Sequence, residues 1–134
     1  MRPKVRGRFP LFALILLSAC SSPSEPVAEG EWGSEQASLV LSRAGGTLGY
    51  QCGEGTMDST WTLTADGDFS GTGVHYFGSG PVPIAGRTPV VARYTGRVAG
   101  RVLMLTVSLP ARGVALGPFR MVRGDAGRVG PVCL

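Results

Sequence analysis

His75, in Val74-His75-Tyr76-Phe77, is the one histidine of the chain and the natural starting point for chemistry, because an imidazole can ligate a metal or move a proton near neutral pH. A metal would need further His or Cys ligands, or carboxylates gathered around His75, and no such spacing is present. His75 therefore reads as a half-buried strand residue. Ser79 sits in Phe77-Gly78-Ser79-Gly80-Pro81, where the glycines have the wrong spacing for a Gly-x-Ser-x-Gly nucleophile elbow. Asp66 and Asp68 flank Gly67, a pattern that turn chemistry accounts for, since Asp is favoured in turns and the further oxygens of a calcium loop are missing. Gly45-Gly46 and Gly71-Thr72-Gly73 lack the Lys and the helix that a phosphate loop requires. No enzyme chemistry is legible in these residues, and no cofactor and no metal is implied.

The cysteines carry more information. Arg2, Lys4, Arg6 and Arg8 are followed by the mostly apolar run Phe9 to Leu17 and then by Leu17-Ser18-Ala19-Cys20. A basic start, a short apolar stretch and small residues make a secretory signal, and Phe9 to Ala19 is far shorter than the roughly 20 residues that span a bilayer. Leu17-Ser18-Ala19-Cys20 resembles the lipobox of bacterial lipoproteins. That resemblance implies cleavage before Cys20 and lipidation of its thiol, with plain secretion as the alternative. Cys52 and Cys133 then remain as an even pair in an exported, oxidising compartment, and a disulfide between them is expected.

The formal charge of +4 suggests a basic protein until the leader is set aside. Without residues 1 to 19, nine Arg face nine Asp plus Glu and no Lys remains. Nucleic-acid binding is therefore not expected. The charges are segregated: eight of the carboxylates lie between Cys20 and Phe69, and eight of the arginines follow Ser70. Pairing between the halves is the expected outcome, with an anion-binding arginine surface around Arg87, Arg93 and Arg97 as the alternative.

These residues must be held by strands. Ala92 to Leu109 is the most regular signal, read as a hairpin turned at Ala99-Gly100. Val98 would pair with Arg101, Gly96 with Leu103 and Tyr94 with Leu105. One face then reads Tyr94, Gly96, Val98, Leu103, Leu105, Val107, Leu109, and the other, largely polar, reads Arg93, Thr95, Arg97, Val102, Met104, Thr106, Ser108. The turn is either type I′ or a type I turn with Gly100 left-handed.

Shorter strands are expected over Ala37 to Ser42, Thr47 to Cys52, Thr60 to Ala65, Asp68 to Phe77 and Leu116 to Arg123. Loops are expected over Gly53 to Ser59, Gly78 to Pro89 and Pro110 to Ala115. Gly71 and Gly73 suggest a bulge or tight bend. No helix of ordinary length is expected. The predicted fold is all-β: an antiparallel up-and-down meander of seven to eight strands closed into a small barrel or half-barrel, since closure removes edges. The chain divides into a signal peptide (1–19), a lipidated cysteine with a flexible tether (20–31) and the barrel (32–134). The aromatic residues are expected to fill the interior rather than line a cavity.

Trp32-Gly33-Ser34-Glu35, Gln51-Cys52-Gly53-Glu54-Gly55-Thr56, Asp66-Gly67-Asp68-Phe69, Gly80-Pro81-Val82, the run Ala92 to Gly100 and the closing Cys133-Leu134 resemble a family of small bacterial exported proteins with no established activity. Members often carry His near the positions of Gln36 and Glu54, so the resemblance brings no metal site here. The architecture also resembles lipocalin-like and other small barrel lipoproteins. The expectation is a monomeric, non-enzymatic envelope or binding module, exported and anchored at Cys20 in the cell membrane or outer membrane. Its partner is unspecified. A lipocalin-like carrier of a small apolar ligand is the alternative.

Overall fold

Apolar residues buried at every second position form the strands of this molecule. The computed structural model describes residues 26–50, 53–78 and 86–127, together with Pro3 and Gly7. Nine strands lie among them: β1 (Gly30–Gly33), β2 (Ala37–Ser42), β3 (Gly45–Tyr50), β4 (Gly53–Met57), β5 (Thr62–Leu63), β6 (Asp68–Phe77), β7 (Val90–Ala99), β8 (Val102–Leu109) and β9 (Val114–Arg123). A 3-10 turn, Pro110–Arg112, joins β8 to β9.

Each strand pairs antiparallel with its sequence neighbour, except that β4 and the very short β5 share one edge of β6. β9 returns to β1 through Trp32 opposite Arg123 and Gly33 opposite Val122, which completes a closed eight-stranded meander barrel. Closure satisfies the backbone groups that an open sheet would leave at its edges.

The β7–β8 hairpin forms, but its turn is Gly100-Arg101 rather than Ala99-Gly100. Gly100 takes φ 59°, a left-handed value that Ala99 would resist, so Ala99 stays in the ladder opposite Val102. The pairing moves by two residues, to Val98 with Leu103, Gly96 with Leu105 and Tyr94 with Val107. A two-residue displacement leaves every side chain on its expected face.

Other boundaries differ. Gly53–Met57 is a strand, not a loop, and Val114 and Ala115 already belong to β9. The expected strand from Thr60 to Ala65 shrinks to Thr62–Leu63. Ahead of it, Asp58–Trp61 bulges out opposite only Gly71 and Thr72. The Asp58 carboxylate holds this excursion by accepting the Thr60 N–H at 2.9 Å, the Thr60 hydroxyl and the Thr72 hydroxyl at 2.8 Å. These bonds to the charged form lower its pKa. β6 itself keeps continuous register with β7 from Asp68 to His75, without a bulge at Gly71 or Gly73. A register shift lies instead between Leu105 and Val107, opposite β9.

The interior is packed with side chains. Trp32, Leu39, Tyr94, Leu103, Leu105, Val107, Leu109 and Met121 are all completely buried, and they belong to one continuous cluster with Tyr50, Phe69 and Trp61. At one end, Trp61 donates Nε1–H to the Ser42 carbonyl at 2.8 Å and packs on Phe69 with ring centroids 5.7 Å apart. Trp32 donates to the Ala28 carbonyl at 2.8 Å. The packed domain thus reaches upstream of Trp32: β1 begins at Gly30, Ala28 is buried, and Arg123 donates to the carbonyls of Glu29, at 2.7 Å, and Val27.

Candidate functional site

Alternation along β7 sends Arg93 and Arg97 outward, so the expected arginine surface forms only in part. Arg87 does not join it. Its side chain is almost buried, lies 3.4 Å from the Glu54 carboxylate and donates to the Gly78 carbonyl at 2.8 Å. It ties the start of the β6–β7 loop to β4. The surface gains Arg120 in its place, because cross-strand register sets Arg97, Met104 and Arg120 in one row across β7, β8 and β9. Strand spacing puts the outer two backbones of that row about 10 Å apart.

Pairing between the acidic and basic halves is realised at Arg87–Glu54 and at Arg97–Asp68, the latter 3.8 Å apart with both side chains nearly two-thirds exposed. A third pair, Arg43–Glu29 at 2.5 Å, lies within the acidic half. Among the described residues, no carboxylate lies within ion-pair distance of Arg93 or Arg120. Cys20, Cys52 and Cys133 lie outside the described residues.

A second constellation escaped sequence reading. Leu48 and Tyr50 face inward from β3, His75 from β6 and Tyr94 from β7, and the last three side chains meet over β4. Tyr50 Oη lies 2.6 Å from His75 Nδ1, and Tyr94 donates its hydroxyl to the Val74 carbonyl at 2.8 Å. The facing strand makes room with glycines: a Cβ on Gly55 would sit 2.5 Å from Tyr94 Oη and 2.9 Å from Tyr50 Oη. The Tyr50 ring stacks between His75 and Phe119, at centroid separations of 5.3 and 5.5 Å, and the edge of Phe77 meets His75 at 4.4 Å.

His75 is fully buried rather than half-buried, at 1% exposure. If Tyr50 donates to Nδ1, the neutral ring carries its proton on Nε2, and Nε2 has no partner among the described residues. Desolvation lowers the imidazole pKa and keeps the ring neutral. Burial pushes Tyr94 up to about 12, and Tyr50 rises further through burial and the neighbouring Tyr94. Three neutral groups sealed from solvent offer neither a thiolate-like nucleophile nor a base that a substrate could reach. Their geometry instead bonds β3 and β7 to β6 across β4.

A signal for this cluster exists in the sequence. Inward-facing tyrosines need hydrogen-bond partners when buried, and alternating Gly53 and Gly55 mark a strand approached closely by large side chains. Among the described residues, no three His, Cys, Asp or Glu side chains gather as a metal-binding group. In comparisons with known proteins, no family model, no curated protein and no solved structure matches the chain. Of the expected resemblances, the molecule shows the small eight-stranded antiparallel β-barrel.

Proposed function

We propose that this protein is a non-enzymatic envelope module, exported, lipidated at Cys20, bridged between Cys52 and Cys133, and working as a monomer through its outer surface. The observation that carries the reading is the packed interior. Completely buried Trp32, Leu39, Tyr94, Leu103, Leu105 and Val107 occupy the space in which a lipocalin-like carrier would hold its ligand. The buried polar side chains at Tyr50, His75 and Tyr94 bond mainly to one another and to backbone, not towards a pocket. Binding then falls to the outside, where Arg93 of β7 and Arg120 of β9 have no carboxylate within ion-pair distance among the described residues.

Native mass spectrometry of the purified, delipidated protein tests this reading. The expected spectrum contains the polypeptide alone, with intact mass showing acylation of Cys20 before delipidation and one fewer pair of thiol hydrogens for the Cys52–Cys133 bridge. One apolar compound held stoichiometrically per chain would replace the module by the carrier.

A further inference from the structure

We infer that the outer face of β7, β8 and β9 docks on the anionic headgroups of the bilayer in which the protein is anchored, an inference that rests on the lipoprotein reading. The face is built for negative charge. Arg93 and Arg97 project from β7, about 13 Å apart at strand rise, and Arg120 projects from β9 in the row of Arg97 and Met104. From Val90 to Arg123 the chain has no Asp or Glu. The side chains between the arginines are Thr95, Thr106 and Ser108, too short to screen a guanidinium and able to donate to phosphate oxygens. Met104, 38% exposed at the centre of the row, adds an apolar contact. Two carboxylates border this set: Asp68, whose 3.8 Å pair with Arg97 is loose and solvated, and Asp58, which accepts from the Thr72 hydroxyl at the β6 position opposite Arg93.

The position of the chain start supplies the geometry. Arg123, at the end of β9, grips the carbonyls of Val27 and Glu29, so Pro26 and Val27 lie at the end of the barrel where β9 finishes and β7 turns into β8. The six residues from Ser21 to Pro26 reach at most about 20 Å. An acyl chain at Cys20 therefore keeps the arginines within a short distance of the headgroups, where a weak multivalent contact is favoured by its high effective concentration. Docking would fix the orientation of the barrel, with β3, which lies across the ring from β8, turned away from the bilayer.

The lipidated full-length mature protein, carrying either Met104→Trp or Val40→Trp, is mixed with vesicles of phosphatidylcholine alone or of phosphatidylcholine with phosphatidylglycerol, each containing brominated lipid. Val40 is exposed on β2 and serves as the reference face. Flotation with phosphatidylcholine vesicles reads the anchor; the difference in tryptophan quenching reads docking. The expected result is stronger quenching at position 104 than at position 40 in anionic vesicles only. Added salt should abolish it, and membrane contact should weaken by about fivefold for each of Arg93→Gln, Arg97→Gln and Arg120→Gln. Flotation on neutral vesicles with equal quenching at both positions would keep the anchor and overturn the docking. Flotation on anionic vesicles alone, with position 104 quenched, would keep the docking and overturn the anchor, and no flotation on either would overturn both.

Discussion

The β7–β8 hairpin and the β3–β4–β6 seam are parts of the same closed barrel, but they are held by different forces. In the hairpin, Tyr94, Val98, Leu103, Leu105 and Val107 bury apolar surface at strict period two, and each ladder position adds to the same core. In the seam, β4 contributes glycines, and the side chains that fill the space come from its neighbours: Tyr50, His75 and Tyr94. The hairpin is specified by pattern, the seam by fit. Small changes in volume should therefore be felt most where a strand has no side chain of its own to adjust.

The largest expected effect comes from removing the ring that links the two regions. Tyr94→Ala deletes a fully buried aromatic side chain and should cost about 3 to 5 kcal/mol, whereas Tyr94→Phe loses one hydrogen bond and should cost about 1 kcal/mol, both measured by urea unfolding. Near-equal losses for the two variants would mean that the hydroxyl, not the packing, holds the seam. Next comes Gly55→Ala, whose added methyl meets both tyrosine hydroxyls and should cost about 1 to 3 kcal/mol. In a Tyr94→Phe background that cost should shrink, because the closest obstructing atom is gone. An additive pair would contradict the close fit described at β4.

Protonation tests the seam alone. Folding lowers the His75 pKa, so the unfolded chain binds the proton more readily and stability is complete above about pH 6.5. The urea midpoint should fall as pH drops from there towards 5, above the usual carboxylate range, and His75→Gln should flatten that fall. An unchanged slope in the variant would remove His75 from the account. Tyr94 gives the opposite sign: with its pKa raised to about 12, its contribution is lost only as pH climbs above 10. The smallest effect belongs to the outer face. Arg97→Gln breaks a solvated pair and should change stability by less than about 0.5 kcal/mol, so a larger loss would show the arginine row to be structural.

The same contrast explains what could be read in advance. Alternation at Tyr94, Val98, Leu103 and Leu105 disclosed the hairpin and the inward faces, and Asp66-Gly67 marked the turn before β6, where Gly67 takes φ 93°. β4 was illegible because Gly53-Glu54-Gly55-Thr56-Met57 has turn composition; its strand conformation is imposed by the ladders of β3 and β6 on either side. The arginine surface was half legible. Arg93 and Arg97 share a face by parity, but replacing Arg87 with Arg120 depends on the β8–β9 register and on a contact with Glu54, neither of which a local pattern contains. His75 looked isolated because its partner, Tyr50, is distant in sequence.

The central claim is that the barrel is a solid body, and Leu105→Ala tests it most directly. Leu105 is completely buried within the cluster that fills the interior. Urea unfolding of the variant against wild type should show a loss of about 2 to 5 kcal/mol with no change in slope, as for a cavity opened in a packed core. A loss below about 1 kcal/mol would mean that the side chain borders space already empty, and would contradict the account.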